Sequence, residues 1–167
     1  MKLTSAQAAK LLKKLNDDYS AILEREAKSC TFNAAMGEDP DTVRPEYDYA
    51  AAQKELCELE AKIRKLKHAV NVFNATHTVP GCDMTIDEML IYIPQLSRKK
   101  EKLAEMRAKL PKARVEFIRN SNIIDYTYTN YDIKAANADY EAVSDELSKA
   151  QLALDGVNAS EIFEVEL

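Results

Sequence analysis

Apolar residues recur along most of this chain at alternating steps of three and four, the spacing that lines one face of an α-helix. In the first such segment the stripe is Ala8, Leu12, Leu15, Tyr19 and Ile22. Ahead of it, Thr4-Ser5-Ala6-Gln7 has the form of a capping box, in which a hydroxyl and an amide satisfy unpaired N–H groups. The second stripe, Leu56, Leu59, Ile63, Leu66, Val70 and Phe73, keeps strict heptad spacing and reads as a coiled-coil seam. Pro45 ahead of it suits a first helical residue, because no N–H is needed there. The third stripe is Met89, Ile93, Leu96, Leu103, Met106 and Leu110, opened by the capping box Thr85-Ile86-Asp87-Glu88. Pro94 lies inside it and predicts a kink or a break. The fourth is Ala136, Tyr140, Val143, Leu147, Ala150, Leu154 and Val157, with Asp132 as its N-cap. The pattern predicts helices over residues 4–28, 46–76, 85–110 and 132–157.

Three stretches alternate with period two instead. They are "RVEFIR" (114–119), "IIDYTYT" (123–129) and "IFEVEL" (162–167). Asn120-Ser121-Asn122 between the first two is turn-prone and predicts a β-hairpin ahead of the last helix. Ile124, Tyr126 and Tyr128 are expected to turn inward, with Phe163, Val165 and Leu167 sharing a face in the last stretch. The expected class is therefore mainly α: an antiparallel coiled-coil or bundle of four amphipathic helices, with a small β-hairpin or extended arm.

Charge suggests how two helices pair. Residues 46–60 are acidic and residues 97–119 basic. Folding the second helix back on the third about Pro80 brings Asp48 near Lys112, and Lys62 to Lys67 near Asp87 and Glu88. Such edge charges select partner and orientation more than they stabilise, at ~0.3–0.5 kcal/mol per pair.

The totals narrow the class further. With 167 residues, 46% of them apolar, one domain over 1–167 is expected. Three glycines are too few to punctuate an all-β fold. No apolar leader follows Met1, and the longest apolar run, "MLIYI", is far too short for a membrane span. Three cysteines, odd in number and widely spaced, suit a reducing cytoplasm. No phosphate-binding glycine loop, nucleophile elbow, Cys-x-x-Cys or His-Glu-x-x-His occurs, so no enzyme, cofactor or metal is expected. His77, Cys82 and Asp83 flank one turn but lack a companion cluster. A net charge of −5 argues against a general nucleic-acid binder, although Arg98, Lys99, Lys102 and Arg107 form a candidate basic surface.

The segments "KLKHAVNVFNATHTV", "TIDEML" and "YTNYDIKAANADYEAVSDELSKAQLALDGVN" carry a likeness. Their order, with the closing Gln151, Leu154, Asp155 and Asn158, resembles a bacterial family of small helical coiled-coil proteins of unknown function, some labelled "septicolysin". The label suggests a lysin, but no residue pattern here supports membrane insertion. The functional expectation is a non-enzymatic, cytoplasmic helical scaffold that forms a homo-oligomer or binds a protein partner. Val115, Phe117, Ile124, Tyr126 and Tyr128 are the candidate self-association residues. The alternatives are a prefoldin-like holdase with arm tips around Val79 to Met84, and a nucleic-acid binder through residues 98–119.

Overall fold

A computed structural model describes residues 1–115 and 124–167. In chain order the elements are β1 (Lys2–Thr4), α1 (Ser5–Ser29), α2 (Pro40–Val43), α3 (Tyr49–Thr76), α4 (Ile86–Arg107), β2 (Lys112–Arg114), β3 (Tyr126–Tyr128), α5 (Ile133–Ser160) and β4 (Ile162–Glu164). They form two compact units. One comprises Met1–Thr76 and Val157–Leu167, the other His77–Gly156.

The first unit is an antiparallel pair of helices, α1 and α3. The Thr4 hydroxyl accepts the Gln7 N–H (3.2 Å) while the Gln7 amide oxygen accepts the Thr4 N–H (3.0 Å), so the expected capping box starts α1. Tyr19 donates to Glu60 (3.0 Å) and Arg25 pairs with Glu55 (2.9 Å), which sets the register of the two helices. Between them Ala8, Leu15 and Leu66 are buried together with Phe163 and Val165, and Leu59, Ile63, Val70 and Phe73 pack against this cluster. β1 and β4 close one end as an antiparallel pair, Leu3 opposite Phe163. Phe163 stacks on Phe73 at 5.0 Å between ring centroids. Of the face expected in the last stretch, Phe163 and Val165 are buried and Leu167 lies at the surface. β1 had no signal of its own, since three residues are too few to show alternation.

The helix openings in the connecting stretch differ from expectation. Pro45 does not open α3; residues 44–48 belong to no regular element, and the Asp48 carboxylate accepts the Ala51 N–H (3.0 Å) at the start of α3. Pro40 instead opens the single turn α2, capped by Asp39, whose side chain accepts the Asp41 N–H (3.1 Å).

In the first unit α3 pairs with α1, and in the second α4 pairs with α5. A turn opens the second unit. Thr78 bridges Thr85, Val79 N–H donates to the Met84 carbonyl (2.9 Å), and Gly81 takes a positive φ of 77° that favours glycine. Val79, Ile86 and Met89 are among the four largest fully buried side chains described. The turn is thus folded into the core of its own unit.

In the second unit Met89, Leu96 and Leu103, seven residues apart, form the buried stripe of α4. Buried Ala136, Val143, Leu147, Ala150 and Leu154 form that of α5. Tyr92 donates to Glu146, and Arg107 donates to Glu141 (3.1 Å) and Asn137 (3.3 Å), so the helices run antiparallel. α4 runs without interruption through Pro94, which is exposed. It ends at Arg107, short of the expected residue 110. Tyr131 donates to the Met106 carbonyl (2.7 Å) and Thr129 Oγ1 to the Leu110 carbonyl (2.7 Å), so the chain end of α4 finds its acceptors' partners outside the helix. Asp132 caps α5 as expected, its carboxylate accepting the Lys134 N–H (2.8 Å).

Gly156 lies inside α5, and a Cβ built there meets nothing within 4 Å. Gly156→Ala is therefore expected to stabilise the protein by about 0.5–1 kcal/mol, read as a raised urea midpoint at unchanged slope. Among the described residues no helix is long and apolar enough to cross a membrane.

Candidate functional site

β2 and β3 form an antiparallel ribbon in which Lys112 faces Tyr128, Ala113 faces Thr127 and Arg114 faces Tyr126. Pairing therefore begins two residues earlier than residue 114, the expected start. The expected turn Asn120-Ser121-Asn122, and Phe117 and Arg119, lie outside the described residues. Because side chains alternate across a strand, Lys112, Arg114, Tyr126 and Tyr128 share one face. The Lys112 ammonium sits 4.0 Å from the Tyr126 ring centroid and 5.3 Å from that of Tyr128.

Ile124, Tyr126 and Tyr128 do not turn inward as expected. They are 56%, 45% and 63% exposed, and Val115 and Leu110 beside them are exposed too. A two-stranded ribbon has two faces and, among the described residues, no packed layer covers either tyrosine. Tyr131, itself exposed, donates its hydroxyl to the Met106 carbonyl at the end of α4.

The candidate basic surface divides. Arg98, Lys99 and Lys102 are exposed on α4 with no partner among the described residues. Arg107 is committed within its unit: besides Glu141 and Asn137 it lies 3.6 Å over the Tyr140 ring. Its counter-charge is Glu141 of α5, whereas the acidic residue Glu55 of α3 finds Arg25 on α1.

Residues 30–48, between α1 and α3, carry chemistry that no motif marks. Phe32 and Val43 are exposed and Met36 is fully so. Around them stand Glu38, Asp39, Asp41, Glu46 and Asp48 against the single Arg44, which pairs with Asp41 at 3.0 Å. The available signal was this coincidence of apolar and acidic residues in one loop. Its base is held by Glu26, which accepts from Tyr47 (2.5 Å) and from Gln53 (2.9 Å).

The hydrogen bond to the Glu26 carboxylate pushes the Tyr47 phenol up to about 12. Bonds to Glu60 and Glu146 likewise raise Tyr19 and Tyr92. A raised folded-state pKa means that the stabilisation is fully present below the unfolded phenol value, about 10, and is lost as the pH climbs through the folded value. An alkaline absorbance titration should therefore show a late phenolate component near pH 12 that Tyr47→Phe removes; a titration left unchanged by that substitution would contradict the contact.

No protein-family model and no curated protein sequence matches the chain. Among solved structures, the fold is similar to that of a functionally unknown conserved protein from Corynebacterium diphtheriae, with a TM-score of 0.62 at 15% identity. The match covers 98% of this chain and 100% of that one. At this identity the likeness speaks to the fold alone.

Proposed function

We propose that the chain is a non-enzymatic, cytoplasmic interaction module that self-associates, and that it belongs with the bacterial family of small helical proteins its sequence resembles. Association is proposed to seat the acidic, apolar loop 30–48 of one copy on the cationic, aromatic ribbon face of the next. The observation carrying this reading is the exposed set Lys112, Arg114, Tyr126 and Tyr128, flanked by exposed Leu110, Val115 and Ile124. Tyrosine and arginine are the residue types that concentrate binding energy at interfaces. The loop offers the matching chemistry, with Phe32, Met36 and Val43 among five carboxylates. Such a contact joins unlike patches, so it is heterologous and propagates into rings or chains.

Light scattering after size exclusion tests the idea. The mass is expected to exceed that of a monomer and to fall with dilution and with added salt. Tyr126→Ser with Tyr128→Ser should give monomers, as should Met36→Asp. Mixing the two variants should restore one dimer, because each retains the end the other lacks. A wild-type monomer at every concentration, or no dimer on mixing, would sink the proposal.

One observation favours a second reading, single-stranded nucleic acid on the same face, since cations and stacking rings alternate there. That reading predicts salt-sensitive binding of an oligonucleotide by the wild type and its loss with Tyr126→Ser and Tyr128→Ser. The holdase alternative has less support. Val79 is fully buried and Met84 half-buried, which leaves no apolar arm tip at 79–84.

A further inference from the structure

One flank of the α1–α3 pair is hollow along much of its length. A cleft of about 570 Å³ is lined by Tyr19 and Asn16 on α1 and by Ile63, Arg64, Lys67, His68 and others on α3. A second hollow of about 330 Å³ is lined by Ser5, Ala8, Ala9, Leu12 and Val70. Lys67 and Asn71 border both, so the two form one trough. The first is polar and cationic. The second is apolar, and Ala8 and Ala9 supply its width.

The cleft carries a net positive charge, Arg64 and Lys67 against the single carboxylate Glu60. Arg25 and Arg44, elsewhere in this unit, each have a carboxylate within 3.0 Å, and Lys2 has one within 3.3 Å. Arg64 and Lys67 have no ion pair or hydrogen bond with any described residue. Glu60, the one carboxylate lining the cleft, already accepts the Tyr19 hydroxyl. Asn71 adds an amide, and Lys67 can lay its methylene stem along the apolar hollow while its ammonium stays in the cleft.

We infer that this trough is a binding site for a free medium-chain acyl carboxylate. Its head would lie among Arg64, Lys67 and Asn71, and its chain along Ala8, Ala9, Leu12 and Val70. Two cations and an amide match a carboxylate. From Leu12 back to Ser5 the helix advances ~10 Å, seven residues at 1.5 Å each, which sets a chain of medium length. A bare inorganic anion would leave the apolar hollow empty, and a neutral alcohol would leave the two cations unmatched.

Calorimetric titration with decanoate, decanol, acetate and inorganic phosphate, each below any micellar concentration, tests the inference. Decanoate is expected to bind, with decanol, acetate and phosphate each at least tenfold weaker. Arg64→Glu with Lys67→Glu, both exposed positions, should weaken decanoate at least tenfold. Ala9→Leu, at an exposed position on the rim of the apolar hollow, should weaken decanoate while leaving acetate unchanged. Circular dichroism of each variant checks that the helices persist. Equal affinity for decanoate and decanol, indifference to the double charge reversal, or no decanoate binding by the wild type overturns the assignment.

Discussion

Leu66→Ala is expected to destabilise the protein by about 3 kcal/mol, within the range of roughly 2–5 kcal/mol for emptying a buried leucine site. Leu66 is 0% exposed and sits at the centre of the first unit's core, with Ala8 and Leu15 from α1 and Phe163 and Val165 from the final strand segment. Removing its isopropyl group leaves a cavity bordered by α1, α3 and the β4 segment. None of them can close it alone, because each is also anchored elsewhere: α1 through Arg25 and Glu55, and β4 through its pairing with β1. Against a typical total stability of roughly 5–15 kcal/mol, the loss is large. A urea midpoint shifted down at unchanged slope is the expected reading. The melting temperature should fall by roughly 6–12 °C for a chain of this size. A shift under about 1 kcal/mol would mean that this core is less tightly packed than the burial of Leu66 indicates.

Met89→Ala is the second large effect, again about 2–5 kcal/mol. Met89 is also 0% exposed and lies in the first turn of α4, where Val79 and Ile86 are equally buried. It borders a hollow of about 410 Å³ whose wall includes Met84 from the turn and Ala150 and Ala153 from α5. A flexible thioether fills such an irregular space between a turn and two helices better than a branched side chain. Its loss should loosen the turn as well as the α4–α5 seam. Hydrogen exchange separates the two substitutions: Leu66→Ala should speed exchange chiefly in α1 and α3, and Met89→Ala chiefly in α4 and the part of α5 before Gly156. Equal acceleration throughout by either one would show a single cooperative unit instead of two.

Much of the local structure was legible in the sequence. Thr4, Thr85 and Asp132 each cap the helix they were expected to cap. The seam residues Leu56 and Leu66, and Met89, Leu96 and Leu103, are buried as their spacing implied. The tyrosine-rich stretch was rightly read as extended, and it pairs antiparallel with the segment before it. Its environment was read wrongly. Alternation tells which residues share a face, but not whether anything covers that face. Tyr126 and Tyr128 look equally suited to a core and to an interface, and their exposure is a tertiary fact. In the segment between α1 and α3, the coincidence of exposed Met36 with surrounding carboxylates has no periodicity to betray it.

Helix pairing shows the same division most clearly. The amino-acid sequence alone determined that four amphipathic helices form and roughly where they start, because caps and stripes depend on groups three or four residues apart. It did not determine which stripe meets which. Apolar heptad seams are nearly interchangeable, and edge charges worth a few tenths of a kcal/mol do not choose between partners. That choice was made by the tertiary structure, in which α3 packs on α1 within one unit and α4 lies against α5 within the other.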